Sequence, residues 1–434
     1  MHYSRTYCLI IFVFFYSYAR SQDTMNSSTV ENNSYRLYMA KNWNELEKYG
    51  NVAIEHGIDY YYLQMRLGLA YYEQHNYLKA EEHFREAITF NAGDGTAMEY
   101  IYYCCLFNGR YEEARWYSKS FDEPLKHELK IDSLPCVSAI TFEGGVERSD
   151  SNKSFGNLYY GALGMEQYIN NSFSLFHTIK YTTQIDHLFL PANPDDSIAN
   201  RTRNYSKIAE YEYYLKATIP LGNKWVVSPA IHWLGVATND TLRHPPSPPI
   251  VRPAPGTKPV LIPGTEYDTS FFSNYYLGSL SIEKRISYFH IALTETVAHV
   301  DSNTSIQEQV SLDYSPFGNS NLIIGFSIIP HTQNKFSTNY EAYSPYISCR
   351  PVKGLTLSAS YIQNQGFNII QYNGYYVDNI LDLTTSSWSV TGEYHITPGF
   401  SIYAIYQLIN EENTTKDFTY NYTLLSAGIK ILPQ

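Results

Sequence analysis

The sequence predicts a two-domain α+β chain: a short all-α solenoid followed by an antiparallel transmembrane β-barrel of about 14 strands. Three observations carry this. The stretch "LGLAYYEQHNYLKAEEHFREA" (Leu67–Ala87) has the apolar spacing of two amphipathic helices joined by a tight turn. From Cys136 to the C-terminus that spacing gives way to period-two alternation. The connections between the alternating runs are short on one side and many are long on the other, as in a barrel with short turns at one rim and longer loops at the opposite rim.

Composition agrees. The chain has 434 residues, enough for two domains. A net charge of -11 argues against a nucleic-acid partner. Charged residues make up only 17%, below the roughly 25% of an average soluble chain. Tyrosine dominates the aromatics, 43 against 5 Trp. Few charges and many tyrosines suit a membrane barrel, in which lipid-facing and lumen-facing residues alternate and cancel in any average. A soluble β-rich secreted protein has a similar composition, so composition alone leaves both open.

Residues 1–21 read as a secretory signal peptide. Arg5 supplies the basic region, "YCLIIFVFFYSYA" the apolar core, and Ala19 and Ser21 the small residues before a cleavage at Gln22. That core is too short for a membrane span, and no later run is long and apolar enough for a helical one. Beyond Cys8 there are Cys104, Cys105, Cys136 and Cys349. With no C-x-x-C pair they form neither a zinc site nor a redox motif, and they read as small core residues. No metal or cofactor is expected.

Residues 27–125 read as helical repeats. With Tyr61 opening a unit, Leu67, Gly68, Tyr71, Ala80, Phe84 and Ala87 fall where a tetratricopeptide repeat places its Leu-Gly, Tyr, Ala, Phe and Ala. The small Gly68 and Ala80 let two helices approach, Tyr71 and Phe84 fill the seam, and Ala87 admits the next unit. One repeat length on, Ile101, Cys105, Tyr111 and Ala114 match Leu67, Tyr71, Tyr77 and Ala80, and Trp43, Leu46 and Ala53 fit a weaker first unit. Such arrays dock other proteins on their concave face, so a protein partner is expected here; a mere spacer is the alternative. Residues 126–135 form a charged linker.

Residues 136–434 form the barrel. In "GLTLSASYIQ", Leu355, Leu357, Ala359 and Tyr361 alternate with Thr356, Ser358 and Ser360; "SWSVTGEYHI" and "YSKIAEYEYYLKATI" alternate in the same way. Strands are expected to start near Cys136, Asn157, Asn171, Tyr205, Lys224, Thr269, Ser287, Thr304, Asn321, Phe336, Gly354, Thr384, Gly399 and Phe418. Tight links such as Asn170–Asn171, Pro220–Asn223 and Thr397–Gly399 contrast with long ones at Asp186–Asn204, Thr238–Asp268 and Gly366–Leu383. With an even strand count both chain ends share one rim, which puts the repeats in the periplasm. Glu295, Glu308 and His177 fall on the lipid parity; a bulge or a headgroup level would accommodate them.

The parity puts Glu143, Glu166, Lys180, Glu210, Glu212, Lys216, Arg350, Glu393 and His395 in the lumen. These either line a path for a polar solute or close the barrel with internal salt bridges. "RHPPSPPIVRPAPGTKPVLIPG" (Arg243–Gly264) is a proline-rich loop, mobile at the surface or folded inward as a plug. No G-x-S-x-G, H-E-x-x-H or Walker loop is present, so no catalytic residue is assigned and the chain is not expected to be an enzyme.

The order of parts (signal peptide, a few of the repeats quoted above, then a barrel to the C-terminus) resembles the YaiO-like outer-membrane β-barrel family. That resemblance implies an outer-membrane location with the repeats in the periplasm. The order is also similar to exporters of cellulose and poly-N-acetylglucosamine, in which repeats dock partners while the barrel passes the polymer. The expected function is a channel or export module for a small polar solute or polysaccharide, its repeats recruiting a periplasmic protein. A non-conducting anchor or assembly scaffold, and a barrel enzyme, stand as alternatives.

Overall fold

The computed structural model describes residues 25–131, 134–149, 156–188, 204–244, 265–300, 303–333, 338–366, 370–377, 382–413 and 418–433. The expected signal peptide and most of the proline-rich loop lie outside the described residues. The chain divides into two compact units, Met1–Gly109 and Arg110–Gln434.

The first unit is helical: α1 (Ser27–Met39), α2 (Trp43–Glu55), α3 (Tyr61–Glu73), α4 (Tyr77–Phe90) and α5 (Gly95–Phe107). Side-chain caps start three of them. Asn26 accepts from the Thr29 amide at 2.8 Å, Asn76 from Lys79 at 3.3 Å and Asp94 from Ala97 at 2.7 Å, each satisfying a helix amide that has no partner within the helix. Consecutive helices pack on one another through small residues. A Cβ at Gly50 would come within 2.7 Å of the Leu67 side chain, and one at Gly68 within 2.7 Å of the Phe84 ring. The Phe84 ring in turn stacks on Tyr100 with centroids 4.8 Å apart. Arg66 crosses to α1 and is held by both Glu31 oxygens, at 2.6 and 3.0 Å.

The second unit opens with α6 (Tyr111–Ser118) and α7 (Glu123–Glu128). Asp122 caps α7, so part of the stretch expected as linker is helical. The strands follow: β1 (Val137–Ser149), β2 (Leu158–Ile169), β3 (Phe173–Leu188), β4 (Asn204–Gly222), β5 (Trp225–His244), β6 (Thr265–Ile286), β7 (Phe289–Val300), β8 (Asn303–Tyr314), β9 (Leu322–Gln333), β10 (Thr338–Val352), β11 (Leu355–Gly366), β12 (Ile370–Gln371), β13 (Tyr376–Val377), β14 (Leu383–Thr397), β15 (Phe400–Asn413) and β16 (Phe418–Ile431). Fourteen of them close a barrel in sequence order, β16 pairing back onto β1, while β12 and β13 form a separate two-stranded ribbon. All neighbours in the wall are antiparallel.

Strand starts agree with the alternation pattern to within a few residues. The expected loop Thr238–Asp268 is shorter than the sequence suggests: β5 continues to His244 and β6 begins at Thr265. The residues there are mostly polar, with Leu242 and Tyr267 the exceptions, so no sustained alternation marks them as strand. Two cysteines depart from the expected core role: Cys136 is exposed and Cys349 half-buried, whereas Cys104 and Cys105 are buried.

Tyrosines fix the register from inside. A Cβ at Gly145 would lie 2.4 Å from the Tyr160 ring, at Gly428 2.4 Å from Tyr403, and at Gly325 2.0 Å from Tyr346. Each ring therefore lies flat over a glycine on the next strand, a close approach that only a missing side chain allows. The outer face carries exposed apolar side chains over many adjacent strands, among them Ile179, Leu280, Ile291, Leu293, Leu312 and Phe326. A contiguous apolar surface of that extent is not left in water. Glu295 and Glu308 point outward in its midst. They are direct partners in the β7–β8 register, which runs without a bulge, so no parity flip brings them inside. His177 is also outward-facing, with its Nε2 3.4 Å from Gln167.

Candidate functional site: a lumen divided by an inner hairpin

The long link between β11 and β14 sends the β12–β13 hairpin into the barrel. Its tip is Tyr372-Asn373-Gly374-Tyr375, and the first three have positive φ (54°, 56° and 86°). Asn and Gly tolerate that region readily, which suits a tight reversal. The wall holds the hairpin by its backbone. Gln307 on β8 donates from Nε2 to the Ile370 carbonyl at 2.5 Å and accepts from the Ile370 amide at 3.0 Å. Across the lumen, the Tyr214 hydroxyl donates to the Asn373 carbonyl at 3.1 Å and His232 Nδ1 to that of Gly374 at 2.8 Å. The carbonyl accepts from Nδ1, and Nε2 on the other side of the ring lies 3.1 Å from a Glu212 carboxylate oxygen. Ile370 packs against Leu234, Leu277, Ala298 and Val300.

Among the described residues the hairpin borders two chambers, and Tyr372, Ser389 and Thr391 line both. The larger, about 570 Å³, is lined by hydroxyls, including Ser281, Ser311, Ser327, Ser344, Ser358 and Ser360. Several bond across strands, as Ser311 does with Ser327 at 2.8 Å and Thr294 with Ser281 at 3.0 Å. His290 stands in its wall between Asp313 at 3.0 Å and Glu283 at 3.2 Å. Both ring nitrogens face carboxylates, so neither is left to take a proton from a serine. This is an ion triad, not a Ser-His-acid relay. The smaller chamber, about 340 Å³, combines Glu143, Glu147, Glu210 and Glu212 with Tyr160, Tyr375 and Lys180.

At the short-turn end α6 lies against β3 and β4 within the same unit. Glu112 accepts from the Ser174 hydroxyl at 3.1 Å, and Arg115 stacks over Tyr168 at 3.8 Å while reaching Asn171 at 3.2 Å. Burial raises the Glu112 carboxyl above the usual carboxylate range, and the negative charge of Glu166 adds to this.

The residues expected in the lumen sort by height. Lys180 and Glu212 form an ion pair at 2.9 Å, with Glu210 and Glu143 in the same chamber. Lys216 lines the larger chamber, and Glu166 lies near Glu112. Arg350 (on Ser320 at 2.6 Å), Glu393 (on Ser401 at 2.9 Å) and His395 (3.8 Å from Glu393) keep inward parity but sit toward the short-turn rim. In the helical unit Leu67, Gly68, Tyr71, Ala80, Phe84 and Ala87 are all buried, and Ala114 in α6 is buried too. They pack helices, and a partner would meet exposed neighbours such as Tyr35 and Tyr62.

Sequence reasoning missed His232, Glu283, His290, Asp313 and the hairpin. His232 shares its parity with Ser228 and Ala230 in a run of plain alternation. The hairpin carries an Asn-Gly pair flanked by aromatic residues, a strong short-range hairpin signal. No group of three or more metal-ligating side chains occurs among the described residues.

The chain matches no protein-family model, and no curated protein matches its sequence. Solved structures similar to the barrel include the Pseudomonas putida toluene transporter TodX, at 9% identity and a TM-score of 0.45 over 69% of this chain and 90% of that one. A TodX deletion variant described as a monoaromatic hydrocarbon channel gives 9% and 0.46 over 69% and 91%. The Ralstonia pickettii toluene transporter TbuX gives 10% and 0.42 over 68% and 90%. A likeness of this degree says nothing of what this lumen carries.

Proposed function

We propose that the chain is an outer-membrane channel for small polar solutes, its lumen narrowed by the β12–β13 hairpin and its helical repeats docking a periplasmic protein. One observation carries the reading: the space inside the barrel is open and lined by polar groups. Two chambers totalling several hundred Å³ are walled by hydroxyls, carboxylates and tyrosine rings, whereas a barrel used only as an anchor needs no such space. The walls favour a polar solute over a hydrocarbon. The exposed apolar belt supports a location in lipid, and the alternation of short and long links supports the orientation with the repeats in the periplasm. A polysaccharide chain would pass only after the hairpin had left its place.

Liposome swelling tests this. Vesicles carrying the refolded protein are expected to admit a pentose faster than protein-free vesicles and to exclude a tetrasaccharide. Entry of neither sugar would contradict the channel, and equal entry of both would contradict a lumen narrowed by the hairpin.

A further inference from the structure

We propose that the smaller chamber is a binding site for an organic cation, its ammonium group against Glu143 and its carbon body against the rings of Tyr372 and Tyr375. The inference deepens the channel reading by naming the solute class of one chamber, and it rests on that reading for its transport meaning.

Glu143 is the centre of the argument. Its Oε1 accepts from the Tyr160 hydroxyl at 2.7 Å and its Oε2 from the Tyr403 hydroxyl at 2.8 Å. Both donors are immobilised, because their rings lie over Gly145 and Gly428 with no room to turn. The carboxylate is therefore held in one orientation by two neutral groups, with no cation within ion-pair distance among the described residues. Glu212 in the same chamber shows the contrast: Lys180 meets one of its oxygens at 2.9 Å and His232 the other at 3.1 Å. Lys180 is thus engaged by Glu212, its ammonium lying 5.3 Å from the centre of the Tyr160 ring, and Glu147 and Glu210 line the same chamber. An anion would be repelled here, and a neutral solute would leave Glu143 without a counter-charge in a narrow, partly desolvated space.

The hairpin supplies the other half of the site. Tyr372 and Tyr375 line the chamber, and Tyr375 packs edge-on against Tyr214 with centroids 5.2 Å apart. A carboxylate beside aromatic rings selects an alkylammonium over a hydrated inorganic cation, because ring faces attract a weakly hydrated cation and bury its carbon substituents. The volume lies in the range of small-molecule pockets.

The test uses the full chain refolded in detergent, choline as probe, and 3,3-dimethyl-1-butanol, the neutral carbon isostere of choline, as control. Isothermal titration calorimetry is expected to show choline binding and at least tenfold weaker binding of the isostere. Glu143→Gln, which keeps the shape of the side chain, is expected to weaken choline at least tenfold. Tyr375→Ala, at the hairpin tip and outside the barrel wall, is expected to weaken it severalfold. Glu295→Gln on the outer face is expected to change nothing. No choline binding, equal binding of the isostere, or undiminished binding by Glu143→Gln would each overturn the proposal. Solute entry into liposomes, measured on the same preparation, separates the two ideas. Entry without choline binding sinks the site and leaves the channel; choline binding without entry supports the site and sinks the channel.

Discussion

At the scale of single residues, most of the chemistry here is set by what shares a side chain's burial. His83 is an example in the helical unit. Its ring stacks on Tyr71 with centroids 5.2 Å apart, and its Nδ1 donates to Gln64 Oε1 at 2.7 Å. Burial first, and the charge of Lys79 second, lower the His83 pKa from 6.5 to about 4. The fold thus keeps the ring neutral where the unfolded chain would protonate it. Between pH 6.5 and about 4 the unfolded state binds the extra proton, so stability is full above that window and is lost as pH falls through it. For a ring that is not wholly enclosed the loss is on the order of 1–2 kcal/mol. The helical circular-dichroism transition of the full chain is expected to move to lower temperature from pH 7 to pH 4.5, and to move less in His83→Gln. An identical shift in both would assign the pH dependence to other groups. Period-two counting placed Lys180, Glu210 and Glu212 in the lumen, because parity is a local property of a strand. It could not pair Lys180 with Glu212, since the β3–β4 register depends on where the chain turns back. Nor could it set the height of Arg350 or His395 above the rim.

At the scale of elements, the hairpin between β11 and β14 matters most. It is a ribbon of two residues per strand, too short to stand alone. Its place depends on Gln307, Tyr214 and His232 along with the apolar seat of Ile370. Gln307→Ala removes two hydrogen bonds to the hairpin backbone, worth about 1–2 kcal/mol net. That shifts the seated-to-released equilibrium roughly tenfold. Brief openings in single-channel records are expected to become about tenfold more frequent, while heat resistance of the barrel on gels stays unchanged. A variant with wild-type opening frequency would show that the hairpin is held by something else. The wall strands were legible one by one, since each carries its own alternation. The hairpin was not, despite its Asn-Gly pair, because a loop's destination is decided by partners on β4, β5 and β8 that lie far off in sequence. The proline-rich loop, expected at the surface or folded inward as a plug, lies mostly outside the described residues, and the segment that enters the lumen here is the less conspicuous Ile370–Val377.

At the scale of the whole chain, a helical unit precedes a barrel unit. The barrel's apolar exterior calls for lipid, and its interior, unlike a packed core, keeps two polar chambers open around one inserted ribbon. A barrel of 14 strands is wider than one that side chains alone can fill, and the hairpin takes up part of that excess. On the proposed channel reading this ribbon, and not the wall, sets the size of the path. Single-channel conductance in a planar bilayer tests it most directly, comparing the intact protein with a form in which Ile370–Val377 is replaced by a short Gly-Ser link. The intact protein is predicted to pass a small, flickering current and the replaced form a steady one severalfold larger. The same conductance in both forms, or no current in either, would contradict the account.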